Sequence, residues 1–112
     1  MNLEIRSSWS PDLDPPSEGR PADCEDYRLF IQVMIGEKGQ PGGEVFGLTV
    51  CSPSQLVAGD GAFITTTLVL ESFSWDRLGA RLQKLLLSTS SCGSWNEVIH
   101  ELRPYLSSNE HD

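Results

Sequence analysis

Residues 27–52, YRLFIQVMIGEKGQPGGEVFGLTVCS, decide the fold because they hold two β-prone runs with turn-forming residues between them. The runs 27–36 and 44–52 are apolar and rich in β-branched and aromatic residues, a composition typical of strands. The intervening residues 37–43 combine glycine and proline, which favour tight turns. This stretch therefore predicts a β-hairpin.

Two further strands are predicted, one on each side of the hairpin. Leu3, Ile5 and Trp9 alternate with polar residues, the period-two pattern of a first strand that buries these three side chains on one face. Residues 62–70 are rich in threonine, leucine and other β-prone residues, with turn-forming residues on both sides. They are predicted to form the last strand of the sheet.

A short helical turn is predicted between the hairpin and the last strand. Ser52 has the position of an N-cap, Pro53 has the first helical position, and Gln55 can reach back to complete a capping box. Gly59 is expected to end this turn, because glycine readily adopts the conformation that follows a helix.

After Ser74 the apolar residues recur with a period of about 3.6, which indicates helices. Ser74 and Ser94 are predicted N-caps, and Pro104 is expected to stop the second helix. The apolar residues on the two helical faces are Leu78, Leu82, Leu85, Leu86, Trp95, Val98, Ile99 and Leu102. We expect this stripe to pack on the sheet, with Leu82 and Trp95 in the core.

This order of elements predicts an α+β fold, a small, mostly antiparallel four-stranded sheet with two C-terminal helices packed on one face. Residues 1–106 are expected to form a single domain, because a chain of 112 residues rarely buries two cores. The polar residues 107–112 are expected to be a frayed tail.

The charge of the chain indicates which classes of partner to expect, and its cysteines indicate whether to expect a metal or a cofactor. Sixteen acidic against eight basic residues give a formal net charge of −8, which repels phosphates and anionic lipids. Neither nucleic acid nor a membrane is therefore expected as a direct partner. Cys24, Cys51 and Cys92 form no paired motif, so we expect no metal and no cofactor, and free thiols fit a reducing cytoplasm.

The segment 10–26, called the acidic loop below, is the candidate partner-binding segment. It holds four of the seven prolines, which opposes regular structure. Its acidic residues are Asp12, Asp14, Glu18, Asp23, Glu25 and Asp26. They form either a solvated surface, the usual meaning of a charge run, or a surface that docks on a basic cleft.

Enzyme activity is the alternative from another class, and the sequence offers few residues for it. Nothing close in sequence to Cys51 would activate its thiol, and His100 and His111 have no partner at ligand or triad spacing. We therefore assign no catalytic residue and expect no enzyme. A small cytosolic enzyme or enzyme subunit that uses Cys51 or His100 is kept as the second hypothesis, and it requires a deep pocket.

Four motifs together resemble the Immunity protein 8 family over nearly the whole chain. They are Ser10-Pro11-Asp12-Leu13, Met34-Ile35-Gly36-x-x-Gly39, Phe46-x-Leu48-x-Val50-Cys51-Ser52-Pro53-x-x-Leu56 and Ser94-Trp95-Asn96-Glu97-Val98. The shared positions are mostly apolar or turn-forming, which is typical of fold determinants. None of them is therefore carried over as a binding residue.

The resemblance implies a small α+β immunity protein that protects a bacterium from a toxin encoded beside it. The implied partner is the cognate toxin domain. The expected mechanism is stoichiometric occlusion, either of the toxin's active site or of the surface by which the toxin reaches its target. If that toxin is a nuclease, its substrate cleft is basic, and a protein of net charge −8 complements it. We expect a monomer or a weak dimer in the cytoplasm.

Overall fold

The computed structural model describes residues 1–56 and 66–108. Its strands and helices in chain order are β1 (Leu3–Trp9), β2 (Arg28–Glu37), β3 (Glu44–Cys51), β4 (Thr67–Val69), α1 (Trp75–Leu86), α2 (Trp95–Leu102) and β5 (Ser107–Ser108). Two 3₁₀ turns span Pro53–Leu56 and Leu87–Thr89. The predicted α+β class is confirmed, because a mostly antiparallel sheet is combined with two helices in the C-terminal half.

The hairpin of β2 and β3 forms the centre of the sheet, as predicted. The two strands pair antiparallel without interruption, from Arg28 opposite Cys51 to Ile35 opposite Glu44. In the turn, Gly39 has a φ angle of 84°, a left-handed conformation in which a side chain would be strained. This glycine allows the chain to reverse direction here.

β1 pairs antiparallel with β2, but a bulge at Arg6 changes which face its side chains occupy. Ile5 lies opposite Ile35, whereas Trp9, after the bulge, lies opposite Gln32. Because side chains alternate along a strand, the extra residue moves Trp9 to the face opposite that of Ile5. The prediction that the apolar residues of β1 share one buried face is therefore wrong for Trp9.

Two short strands share the edge of β3 that faces away from β2. β4 runs parallel to β3 along residues 49–51, and β5 pairs antiparallel with it at Phe46 and Gly47. Within the described residues the sheet thus has five strands instead of the four predicted. Of the strand predicted at 62–70, β4 contains only Thr67–Val69, and residues 62–65 lie outside the described residues.

β5 also corrects the expectation for the start of the polar tail. Ser107 and Ser108, predicted to be frayed, pair with β3. The Ser107 hydroxyl donates a hydrogen bond of 3.1 Å to the carbonyl oxygen of Gly47. Residues 109–112 of the predicted tail lie outside the described residues.

The turn predicted after the hairpin forms as a 3₁₀ helix, but without the predicted capping box. The Ser52 hydroxyl accepts a hydrogen bond from the Tyr27 N–H at 3.1 Å, and the Gln55 amide donates to Asp26 at 2.8 Å instead of reaching back. Both polar side chains therefore tie this turn to the residues that precede β2. Gly59, the expected end of the turn, lies outside the described residues.

Both C-terminal helices begin at the predicted serine caps. The Ser74 hydroxyl accepts the Arg77 N–H and the Ser94 hydroxyl accepts the Glu97 N–H, each at 3.3 Å. The Glu97 carboxylate also accepts the Gly93 N–H at 3.3 Å, which adds a second bond to this cap.

Among the described residues, no helix has the length and apolar character needed to cross a membrane.

The hydrophobic core lies between the two helices and one face of the sheet. The helices contribute Leu78, Leu82, Leu86, Val98 and Leu102, and the sheet contributes Leu29, Ile31, Val33, Ile35, Phe46, Leu48 and Val50. Leu82 is buried, as predicted. Trp95, also predicted to be in the core, is only partly buried and packs against it.

We predict that truncating Leu82 destabilises the fold strongly. Its side chain is 4% exposed, so Leu82→Ala leaves a cavity and should lower the free energy of unfolding by about 2 to 5 kcal/mol. Leu87, which is 68% exposed, is the matched control, and Leu87→Ala should change this quantity by less than about 0.5 kcal/mol. Urea denaturation followed by circular dichroism measures both. Equal effects of the two substitutions would contradict the assigned core face of α1.

Candidate protein-binding site

The acidic loop contains no helix or strand, as predicted, and side chains fix it to the rest of the fold. At its start, the buried Ser10 hydroxyl donates a hydrogen bond of 2.7 Å to the carbonyl oxygen of Phe30. In its middle, the Trp75 indole N–H donates to the carbonyl oxygen of Gly19 at 2.9 Å. Leu13 is buried in the core. The backbone of the loop is therefore fixed to the fold at its start and in its middle.

Asp12 binds the backbone of β2 beyond the point where β1 ends. Its Oδ2 accepts a hydrogen bond from the Phe30 N–H at 2.8 Å. Phe30 lies just beyond Trp9 and Gln32, the last residue pair of β1 and β2. The carboxylate takes the place of a strand partner for this N–H. Asp12 is exposed, yet its position is set by the sheet.

Asp26 joins the end of the loop to the 3₁₀ turn after β3. Its Oδ1 accepts hydrogen bonds from the Ser54 hydroxyl at 2.6 Å and from the Gln55 amide at 2.8 Å. These two bonds, with that from Ser54 the stronger influence, lower the pKa of the Asp26 carboxyl because they stabilise its charged form. Asp26 thus has a structural role in addition to its charge.

The remaining four acidic residues of the loop are held less tightly. The Asp23 carboxylate accepts the Glu25 N–H at 2.9 Å, a local turn within the loop. Among the described residues, the side chains of Asp14, Glu18 and Glu25 make no hydrogen bond or ion pair, and all three are exposed. These three carboxylates can accept hydrogen bonds from a partner without breaking any in the fold.

A shallow cleft of about 500 Å³, called the acidic cleft below, brings together four of the six predicted residues. Its charged lining residues are Asp12, Asp14, Asp23, Asp26, Arg20 and Arg28. Four carboxylates against two guanidinium groups make a negative surface, which favours cationic side chains of a partner. Glu18 and Glu25 do not line this cleft and lie elsewhere on the exposed surface of the loop.

The residues of the enzyme hypothesis line neither of two concave regions of the described structure. Neither the acidic cleft nor a larger concave region of about 630 Å³ beside α1, β4 and the end of α2 is lined by Cys51 or His100. Burial raises the pKa of the Cys51 thiol, which Arg28 opposes in part, so the reactive thiolate is disfavoured. Within 1–56 and 66–108, no group of His, Cys, Asp and Glu side chains is arranged to hold a metal ion.

Comparison with known proteins relates the chain to a protein family. The family model described as Immunity protein 8 matches residues 3–109, nearly the whole chain. No curated protein and no solved structure shows a significant match.

We predict that Ser54 controls the ionisation of Asp26. Because the folded-state pKa of Asp26 lies below the usual value of 3.8, its hydrogen bonds stabilise the fold above that pH, and this stabilisation is lost as the pH falls through the folded-state pKa. Ser54→Ala should raise the pKa of Asp26, as measured by carboxyl chemical shifts in an NMR titration. Ser88→Ala, a matched loss of a hydroxyl that donates to the Leu85 carbonyl oxygen, should leave it unchanged. If the titration midpoint of Asp26 were the same in both variants, the hydrogen bond from Ser54 would not be the cause of the lowered pKa.

Proposed function

The chain belongs to the Immunity protein 8 family, and we propose that it binds one cognate toxin domain, encoded beside it, and neutralises that domain by stoichiometric occlusion. In this proposal the protein acts by binding and performs no chemistry. Besides family membership, the observation that supports it is the acidic cleft on a fixed, exposed loop.

The electrostatics support a basic partner surface. A toxin that cleaves nucleic acid must hold phosphates, so its substrate cleft carries Lys and Arg side chains. A protein of net charge −8 is attracted to such a cleft and can cover it with matching charge. The proposal therefore favours a nuclease toxin that is blocked at, or next to, its substrate cleft.

The structure divides five of the six carboxylates of the proposed site into two kinds, and the sixth, Asp23, is bound within the loop by the Glu25 N–H. Asp12 and Asp26 are already fixed by hydrogen bonds, so they lose little freedom when a partner covers them. Asp14, Glu18 and Glu25 are exposed and free to reorient, so they attract the partner first and become ordered on binding. We infer that the first kind sets the geometry of recognition and the second kind sets the rate of encounter.

We further propose that the protein is a monomer or a weak dimer in the cytoplasm. Cys24, Cys51 and Cys92 are free thiols, which fit a reducing compartment. An immunity protein must also be present where the toxin would act on the cell that produces it. A monomer leaves the loop accessible to the toxin domain.

Co-expression tests the proposed function. The toxin domain encoded by the adjacent reading frame is expressed from an inducible promoter in cells with and without this chain. We expect growth only in the presence of the chain, and a complex of one copy of each protein in light scattering after gel filtration. Growth arrest despite abundant soluble chain, with no complex formed, would overturn the proposal.

We predict that charge reversal in the acidic loop slows association with the toxin domain. Glu18→Lys removes one of the unpaired carboxylates and should lower the association rate constant about 2- to 10-fold, with a weaker dependence on salt and little change in dissociation. Glu101→Lys changes the net charge equally on α2 and is the matched control. Surface plasmon resonance at several salt concentrations measures both rates. Equal slowing by both variants would assign the effect to net charge and not to the loop.

A further inference from the structure

The outer sheet face is the face of the sheet turned away from the helices. It includes three directly opposed pairs, which are Phe30 and Thr49, Met34 and Val45, and Trp9 and Gln32, and it also carries the polar residues Ser7 and Arg28. Directly opposed residues share a face, and these positions alternate with the buried core positions of the same strands. The bulge at Arg6 is what brings Trp9 to this side.

This face is more apolar than a solvated sheet face usually is. An antiparallel sheet that packs one face on a core typically carries polar side chains on the other. Here Phe30 is 41% exposed, and Trp9, Met34 and Val45 are partly exposed. None of these four belongs to the core that the described residues form, nor packs against it. Exposed apolar patches mark contact surfaces for other proteins, and aromatic residues and Met are enriched in such contacts.

Two aromatic side chains of the outer sheet face are held in place. The Trp9 indole N–H donates a hydrogen bond of 3.0 Å to Gln32 Oε1. The Phe30 ring lies over Gly47, so closely that its Cζ would be 2.8 Å from a Cβ at that position. Glycine therefore makes room for the ring. Aromatic side chains with fixed positions lose little conformational entropy when a partner covers them, which favours binding.

The outer sheet face continues directly into the acidic cleft. Arg28 lies two positions before Phe30 on the same face of β2, and it also lines the cleft. Asp12, another cleft residue, accepts the Phe30 N–H at 2.8 Å. The apolar side chains and the carboxylates thus belong to one continuous surface, apolar in its middle and acidic along one side.

We propose that the outer sheet face is the desolvated centre of the interface with the toxin domain, and that the acidic cleft lies at its edge. This inference rests on the proposed function and specifies the partner chemistry: an apolar projection flanked by Lys or Arg side chains. A second copy of this chain fits the surface less well, because it brings a further net charge of −8 to an edge that is already acidic.

Binding kinetics of single variants test this proposal, with the inactivated toxin domain of the adjacent reading frame as the probe. Phe30→Ala removes a fixed aromatic group, and Thr49→Lys puts a cation into the middle of the face. Each should raise the dissociation constant about tenfold or more, and Phe30→Ala should act mainly through faster dissociation. Tyr105→Ala truncates an exposed aromatic residue after α2 and is the matched control. It should change the dissociation constant less than about twofold.

The outcomes separate this inference from the proposed function. Both residues point away from the core, so we expect Phe30→Ala and Thr49→Lys to remain folded, and melting curves check this. One folded variant is sufficient for the test. If a folded variant bound the toxin domain with the same dissociation constant as the unchanged chain, the proposed role of the outer sheet face would be overturned. The immunity proposal would remain intact. Failure of the unchanged chain to bind would overturn the immunity proposal itself. A dimer that Thr49→Lys dissociates would assign the face to a second copy and overturn toxin docking there.

Discussion

The uninterrupted antiparallel pairing of β2 with β3 is the interaction on which the rest of the structure depends. Among the described residues, β1 pairs with no strand other than β2, and β4 and β5 pair with no strand other than β3. The alternating residues of this hairpin give one face to the core, where Ile31 and Phe46 are fully buried, and the other face to the surface. Fixing the register of these two strands therefore decides both what the helices cover and which side chains a partner can reach.

The sequence predicts those elements whose determinants lie close together in the chain. The hairpin turn, with its glycines, and the serine caps of α1 and α2 are local features, and each forms as predicted. The interactions at the bulge in β1 are not local in the sequence. The Arg6 side chain donates to the carbonyl oxygens of Glu37 and Gln40, more than thirty positions away. β5 likewise requires an edge of β3 that β4 leaves open, which only the assembled sheet provides.

The same distinction explains the candidate site. Charge density along the chain identifies the acidic loop, but it does not show which carboxylates are held. Asp12 and Asp26 are bound by groups 18 and 29 positions away, and such contacts have no signal in a single sequence. The outer sheet face could have been predicted from the sequence. Phe30 and Met34 alternate with buried residues and make β2 apolar on both faces. A strand that is apolar on both faces, in a sheet with helices on one side, indicates a second contact surface.

Hydroxyl-radical footprinting, followed by mass spectrometry, measures the exposure of individual side chains in the free chain and in its complex with the toxin domain. We predict that Trp9, Phe30 and Met34 become protected in the complex, since they form the apolar middle of the proposed interface, whereas the exposed Tyr105 after α2 is oxidised equally in both states. Protection of Tyr105, together with unchanged oxidation of Trp9, Phe30 and Met34, would contradict the assignment of the outer sheet face as the partner-binding surface.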